Sequence, residues 1–353
     1  MINANQTLVI KILYKYLSNF THYHAGRAVV QFLLLVFVCL HCHAQIINTK
    51  PSDISLGPIN FNPSAIKQNK IKSILAVIVD KPDGEVIIDK GATQGYEFDS
   101  LGNVTRYYYT IFNLTQNVEI EVPEIIRHGK VIRHAGTRTI TKYVNDTISV
   151  NVFYDQQNRI VSKRVHSGDY YDTYYYEYTT EGRIKKETHC KETNISENQK
   201  EFKLGVQSIL SSETFEYTAL TPTQLKKSCL NDEGREYKKA IINYDAKGNK
   251  LSKNYEFIVS WMREETVYIY DINNRITEKT FTSNESGNIK TESYYEYNSN
   301  GALLGEKKLK SEVLTDEINI LYDEAFNLPK SEVNRDHIHS SIGIVKFGYT
   351  FYN

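Results

Sequence analysis

Along most of this chain apolar side chains stand two apart, and each such pair runs into a short polar turn followed by a fresh aliphatic residue. The pairs are Tyr96/Phe98, Val152/Tyr154, Tyr176/Tyr178, Ile242/Tyr244, Tyr268/Tyr270, Tyr295/Tyr297 and Ile320/Tyr322. A spacing of two places both members on one face of a strand. Past the turn the pattern resumes at Val104, Ile160, Ile184, Ile276, Leu303 and Leu328, with Leu251 one residue late after Gly248. The residue inside the pair points the other way. It is polar at Glu97, Glu177, Asn243 and Glu296, and apolar at Phe153, Ile269 and Leu321. The majority predict an antiparallel sheet with one dry face, and the three apolar exceptions predict rungs covered on both sides.

The turns have their own chemistry. Asp155, Asp245, Asp271 and Asp323 are placed to accept backbone amides two residues on, and the Gly or Asn that follows tolerates positive φ. These acids therefore read as turn formers rather than calcium ligands, and the Arg or Asn behind them as facing solvent or a neighbouring rung. Tyr244, Tyr270, Tyr297 and Tyr322 follow one another at intervals of about 25 residues, room for two strands and two turns. Upstream the spacing is irregular, with degenerate copies near Tyr217 and at Asn231–Gly234, and Asn194 to Lys203 reads as a loop or short helix. Each copy is one strand-turn-strand unit that cannot bury its apolar face alone, the signature of a repeat architecture.

Three segments follow. Residues 1–44 read as a targeting segment, with Arg27 before the apolar run Ala28–Leu40 and Ala44 before a cleavage point at Gln45. Its short apolar run sets a retained membrane anchor second. Residues 45–70, with Pro51, Pro58 and Pro63, read as an extended polar lead-in. Residues 71–353 form the β-repeat domain, opening on a buried strand at Ile71–Val79 and a hairpin through Pro82-Asp83-Gly84.

Composition changes the picture at two points. Tyrosine is abundant, 27 against 14 Phe and one Trp, and suits a half-buried pleated surface. Charge is balanced at 42 basic and 42 acidic residues, and loss of Lys11, Lys15 and Arg27 leaves 39 basic, a net of −3. Such a balance gives no basic footprint for nucleic acid. Cys190 and Cys229 remain after cleavage, and in an oxidising compartment they are candidates for a disulfide.

Tyr154-Asp155, Tyr244-Asp245, Tyr270-Asp271 and Tyr322-Asp323, with Gly182-Arg183-Ile184 after a turn, resemble the YD repeats of Rhs-type proteins over roughly residues 95–335. That resemblance implies long spiralling β-sheets, in some members a shell around a toxin. The chain departs from it in being short, in lacking a self-cleavage motif, and in carrying repeats almost to its end.

Chemistry is sparse. No Gly-rich phosphate loop, HExxH helix or nucleophile elbow occurs, so no catalytic residue, cofactor or metal is assigned. His337 and His339, and His189 beside Cys190, read as polar surface rather than ligands. Rings on the wet face, Tyr108 and Tyr175, are the candidate ligand-binding residues. The expectation is an all-β fold, an elongated, twisted antiparallel sheet of repeated hairpins and not a membrane barrel, because charges recur along the strands. The expected role is a non-enzymatic scaffold, secreted, periplasmic or at the cell surface, with protein or polysaccharide partners and no nucleic acid. Membrane contact is expected only through an uncleaved targeting segment. A carbohydrate-binding module is the alternative, and a hydrolase or toxin-related component comes third.

Overall fold

A computed structural model describes residues 45–353 apart from 129, 198–200, 286 and 325; the targeting segment at 1–44 lies outside the described residues. A short helix α1 (Pro63–Gln68) leads into the strands. They are β1 (Ile71–Pro82), β2 (Ile88–Phe98), β3 (Val104–Val122), β4 (Ile125–Arg127), β5 (Lys130–Arg133), β6 (Gly136–Tyr154), β7 (Ile160–Ser167), β8 (Tyr170–Tyr178), β9 (Ile184–Asn194) and β10 (Leu204–Thr221). There follow β11 (Gln224–Leu230), β12 (Glu236–Tyr244), β13 (Lys250–Phe257), β14 (Arg263–Tyr270), β15 (Ile276–Ser283), β16 (Ile289–Tyr297), β17 (Leu303–Lys310), β18 (Val313–Tyr322), β19 (Pro329–Asp336) and β20 (Ser341–Phe351).

Each strand of the main sheet pairs antiparallel with its neighbours in sequence, β3 passing to β6 across the small β4–β5 hairpin. The last strand then pairs with the first. β20 runs antiparallel to β1 from Ile71↔Phe351 to Pro82↔Ser341, while β1 also pairs with β2. The result is a closed 18-stranded antiparallel barrel. This overturns the expected open, elongated sheet and its exclusion of a barrel. The error has a physical source. The outward character of the strands was used to reject closure, whereas closure depends on one long-range pairing between strands that carry no repeat signature. It also removes the free edge from the barrel wall, leaving only the protruding β3–β6 ribbon without outer partners.

The repeated apolar pairs face the lumen. On β1 the inward Ile74 and Ala76 are 2% and 1% exposed, whereas the outward Leu75 and Val77 are 42% and 39% exposed. The strand expected to be buried is thus half outside. The outer face is ruled by cross-strand ion pairs, including Lys239–Glu256 at 3.0 Å, Arg106–Glu97 at 3.1 Å and Lys307–Glu317 at 3.6 Å. A ring of this many strands is too wide for side chains to fill. The buried residues accordingly form wall-hugging clusters such as Leu225, Ala240 and Ile242 under Tyr217, Tyr244 and Tyr255. Among the described residues no helix is long and apolar enough to cross a membrane, which says nothing of strands.

Candidate functional site: the barrel lumen

One rim of the barrel is built from the repeated turns. In each, the first side chain caps the backbone. Asp155 Oδ1 accepts from the amides of Gln157 and Arg159 at 2.9 Å each, and Asp271 Oδ1 from Asn273 and Arg275 at 2.8 and 2.9 Å. The second carboxylate oxygen holds the side chain that follows, Arg159 Nε at 2.8 Å and Arg275 Nε at 2.6 Å. For Asp271, hydrogen bonds and the guanidinium outweigh the burial that would raise it and hold its carboxyl below the usual range. The arginines thus fold back on their own turns. Their other face reaches the next rung, Arg159 over the Tyr178 ring at 4.7 Å and Arg275 over Tyr297 at 4.6 Å.

The pair-end tyrosines join rung to rung. Tyr154 donates its hydroxyl to the Val104 carbonyl at 2.9 Å, Tyr178 to Ile160 at 2.7 Å, Tyr217 to Ile184 at 2.9 Å, Tyr270 to Lys250 at 2.8 Å and Tyr322 to Leu303 at 2.8 Å. Each acceptor is the first residue after a turn in the preceding hairpin. Tyr349 to Pro329 repeats the device in the last strand, and Tyr352 donates across the seam to Phe98, the last residue before a turn. Burial pushes up the phenols of Tyr154, Tyr178, Tyr217, Tyr322 and Tyr349, and that of Tyr270 to about 12.

The lead-in lies across this rim. Ile47 bridges Phe61, and Asn48 N donates to Asn60 O at 2.7 Å, so residues 48–60 leave and return as a closed loop. Ile47 packs on Leu303 and Ile320, and Thr49 meets the Tyr297 hydroxyl at 2.9 Å. Ile59 N donates to the Tyr96 hydroxyl at 3.3 Å on a distant part of the wall. Gly102 lets α1 sit on the rim: its φ is +89°, and a Cβ there would lie 2.0 Å from the Pro63 carbonyl oxygen. Between this loop and the wall is a cavity of ≈ 1310 Å³ whose lining includes Asp53, Tyr268, Lys279, Tyr295, Glu306 and Glu332.

On the β11–β13 arc of the lumen, lysines rise from an aromatic floor. Lys227 Nζ is 3.5 Å from the Phe215 ring centroid, and Lys253 Nζ is 4.5 Å from that of Tyr255. Asp53 of the loop lies 3.2 Å from Lys250 Nζ and 4.0 Å from Lys253 Nζ. The surrounding wall raises the Asp53 carboxyl less than Lys250 and Lys253 lower it, so it sits below its ordinary value. Sequence reasoning missed this arc, because it is assembled from three strands and a lead-in read as structureless. The alternation that puts Lys227, Lys253 and the tyrosines on one face was the available signal.

The candidate ligand residues Tyr108 and Tyr175 both face outward, but on β3 and β8 with β6 and β7 between them. Tyr108 lies across Gly95 of β2, where a Cβ would be 2.2 Å from the ring, and carries Arg106 at 5.0 Å. Tyr175 donates to Glu192 at 2.5 Å. They form no shared platform. Glu192, fully buried on the outside of β9, also accepts from Thr173, Arg164 and Gln207. Burial raises its pKa, but these hydrogen bonds and Arg164 prevail and hold it below the usual carboxylate range.

The candidate disulfide is absent. Cys190 and Cys229 are both buried free thiols, on β9 and β11 with β10 between them, and burial pushes both thiols up. His189 stacks on Tyr174 at 4.3 Å and meets Asp172 at 3.1 Å. His337 and His339 sit in the β19–β20 turn with different acids, Glu317 and Asp336. Among the described residues no cluster of three or more His, Cys, Asp or Glu is arranged to hold a metal.

No protein-family model matches the chain, and no curated protein matches it. Among solved structures it is similar to a porin-like protein from Bacteroides uniformis (10% identity, TM-score 0.34, 79% of this chain and 98% of that one). A porin-like protein from Bacteroides vulgatus gives 9% identity and a TM-score of 0.30 over the same shares. TcdB2-TccC3 gives 12% identity and a TM-score of 0.19, covering 73% of this chain and 15% of that one. Likenesses this slight carry no weight beside the strand pairings, on which the barrel rests. Closure also corrects the expected function: neither an extended interaction scaffold nor an exposed-tyrosine carbohydrate module matches a wall closed on a lumen, with its tyrosine ladder turned inside.

Proposed function

We propose that the protein works through its lumen, as a cell-envelope receptacle that holds a small ring-bearing solute against the inner tyrosines. The observation that carries this reading is the ring closure at β20–β1, which turns the repeat face into the lining of one cavity roofed by residues 48–60. Ligand sites are concave and set polar groups against apolar walls, and this lining sets Tyr268, Tyr295 and Ile320 beside charged groups such as Lys279, Glu306 and Glu332. Placement outside the cytoplasm is part of the proposal and draws on the targeting segment read at residues 1–44.

The test is fluorine NMR of the full chain carrying 3-fluorotyrosine, titrated with phenol as a neutral ring probe. Signals of the lumen residues Tyr268 and Tyr295 are expected to shift, and that of the outward Tyr294 to stay. The opposite pattern sinks the proposal. A second reading, passage of solutes through a bilayer-spanning barrel, is favoured by the closed, even-numbered antiparallel ring. It requires Lys239, Lys290 and Lys307 to meet lipid, at about 2–4 kcal/mol each near the midplane. Discrete single-channel conductance in planar bilayers would replace the receptacle by a conduit.

A further inference from the structure

The loop that roofs the lumen brings a single carboxylate to the lysine arc. Lys250, Lys253 and Lys227 project from β13 and β11 toward one region of the wall, with Lys238 of β12 beside them. Their ammonium groups are pressed into the lining, Lys250 and Lys253 being 13% and 20% exposed at the side chain. The carboxylate that meets them is not: the Asp53 side chain is 60% exposed to the lumen. Lys227 makes no ion pair among the described residues and rests on Phe215 and Tyr217 instead. Lys238 is spoken for by Glu213 at 3.7 Å.

Asp53 is thus paired with Lys250 and Lys253 and leaves Lys227 without an ion pair beside the rings of Phe215 and Tyr217, although Glu213, Glu187 and Glu264 also act on the arc. A half-buried ammonium with no counter-ion is costly, and a charge-assisted contact to an incoming anion relieves that cost. Burial pushes Lys227 and Lys253 below the ordinary lysine value, and neighbouring ammonium groups push the same way.

We infer that the β11–β13 lysine arc is a binding site for the carboxylate or phosphate group of a ring-bearing solute, and that Asp53 occupies it as a resident stand-in that the solute displaces. This rests on the receptacle reading and deepens it by naming the chemistry of the guest. Displacement leaves the loop tethered, since its base is held by Ile47–Phe61 and Thr49–Tyr297 and not by Asp53.

The experiment is a titration of the full chain with phenyl phosphate followed by phosphorus NMR, with benzoate as the carboxylate arm and phenol as the uncharged arm. Asp53→Asn removes the competitor and keeps the shape, and is expected to bind phenyl phosphate about tenfold more tightly. Lys253→Gln is expected to bind it about tenfold more weakly, as the loss of one charge-assisted contact. If Lys253→Gln does not fold, Lys227→Gln gives the same reading. Asp83→Asn, whose acid pairs with Arg335 away from the arc, controls for net charge and is expected to change nothing. The inference is overturned if Asp53→Asn binds like the parent, if the lysine variants are unaffected, or if Asp83→Asn moves as far as Asp53→Asn. Should phenol enter the lumen while phenyl phosphate ignores Asp53, the anion site falls and the receptacle stands. Entry of neither probe removes both.

Discussion

The two rims of this barrel are made by different rules. At one, every connection but β10–β11 is a capped turn, and tyrosine hydroxyls tie most of the hairpins to their neighbours. At the other, that turn recurs at Asn231–Arg235 while the remaining connections differ, and one of them is an arm. β3 and β6 are 19 residues each, against 8 for β7 and β13. Beyond Tyr109 and Val150 they lose their outer partners and pair only with each other, from Thr110↔Thr147 to Val122↔Gly136. That ribbon leaves Leu114, Val118 and Ile120 on an open face. The difference shows where the sequence carries constraint. A rim that must close at a fixed spacing repeats itself, and a rim relieved of that duty is free to vary.

The sharpest way to break this contrast is at the base of the tied rim. Tyr96 is 1% exposed, stacked on Tyr107 and edge-on to Phe61, each at 4.7 Å. Tyr96→Ala should cost about 3–5 kcal/mol in urea denaturation, the usual range for emptying a buried aromatic site. Removing one partner of the outer clamp comes next. Glu192→Gln leaves Arg164 without its acid and should cost about 1.5–3 kcal/mol at pH 7. Because the folded-state pKa of Glu192 is lowered, its contribution is present above the unfolded value and disappears as pH falls through the folded one. Parent and variant should therefore converge in strong acid; an equal gap at pH 7 and pH 2 would refute the assignment.

A smaller loss is expected from one rung tie. Tyr322→Phe deletes a single hydroxyl and should cost about 1 kcal/mol. The same amount lost from every rung would confirm that the rim is a uniform device. The smallest effect belongs to the arm: replacing residues 115–143 by a two-residue turn between Leu114 and Val144 should leave the melting temperature of the barrel within about 2 °C, since exposed loop segments contribute little to global stability. Glu332 supplies a change of opposite sign. Burial in the lumen raises its pKa, Lys308 lowers it less, and Glu306 raises it again. A raised acid opposes folding once pH exceeds its unfolded value. Glu332→Gln should therefore raise the melting temperature at pH 7 and leave it unchanged at pH 4.

Much of the wall could be read from the chain. The alternation at Tyr268/Tyr270 or Tyr295/Tyr297 placed side chains on the correct shared face, and the Asp-led turns form as their residues require. Positive φ falls at Asn158, Gly248, Asn274 and Asn327, the positions the turn chemistry assigned. Arg159 and Arg275 reach the neighbouring rung as expected, and each also folds back onto its own acid. What stayed hidden was global. Nothing local in Ile71–Pro82 or Ser341–Phe351 announces that they are partners, and a curl of indefinite length has the same alternation as a ring. The lysine arc was hidden for the same reason: Asp53 is nearly 200 residues from the lysines it meets.

The pairing of β20 with β1 has a consequence for how this chain reaches its folded form. Nearly all its other contacts lie between strands adjacent in sequence and can form as each hairpin appears, whereas the seam joins residues 259 to 280 apart. Such a contact is slow to find. Until it forms, β1 and β20 each offer a row of unsatisfied amides and carbonyls to any passing strand. The finished molecule has no such edge in its wall, so its hazard is temporal: an interval during synthesis in which the ring is nearly whole and open to the wrong neighbour.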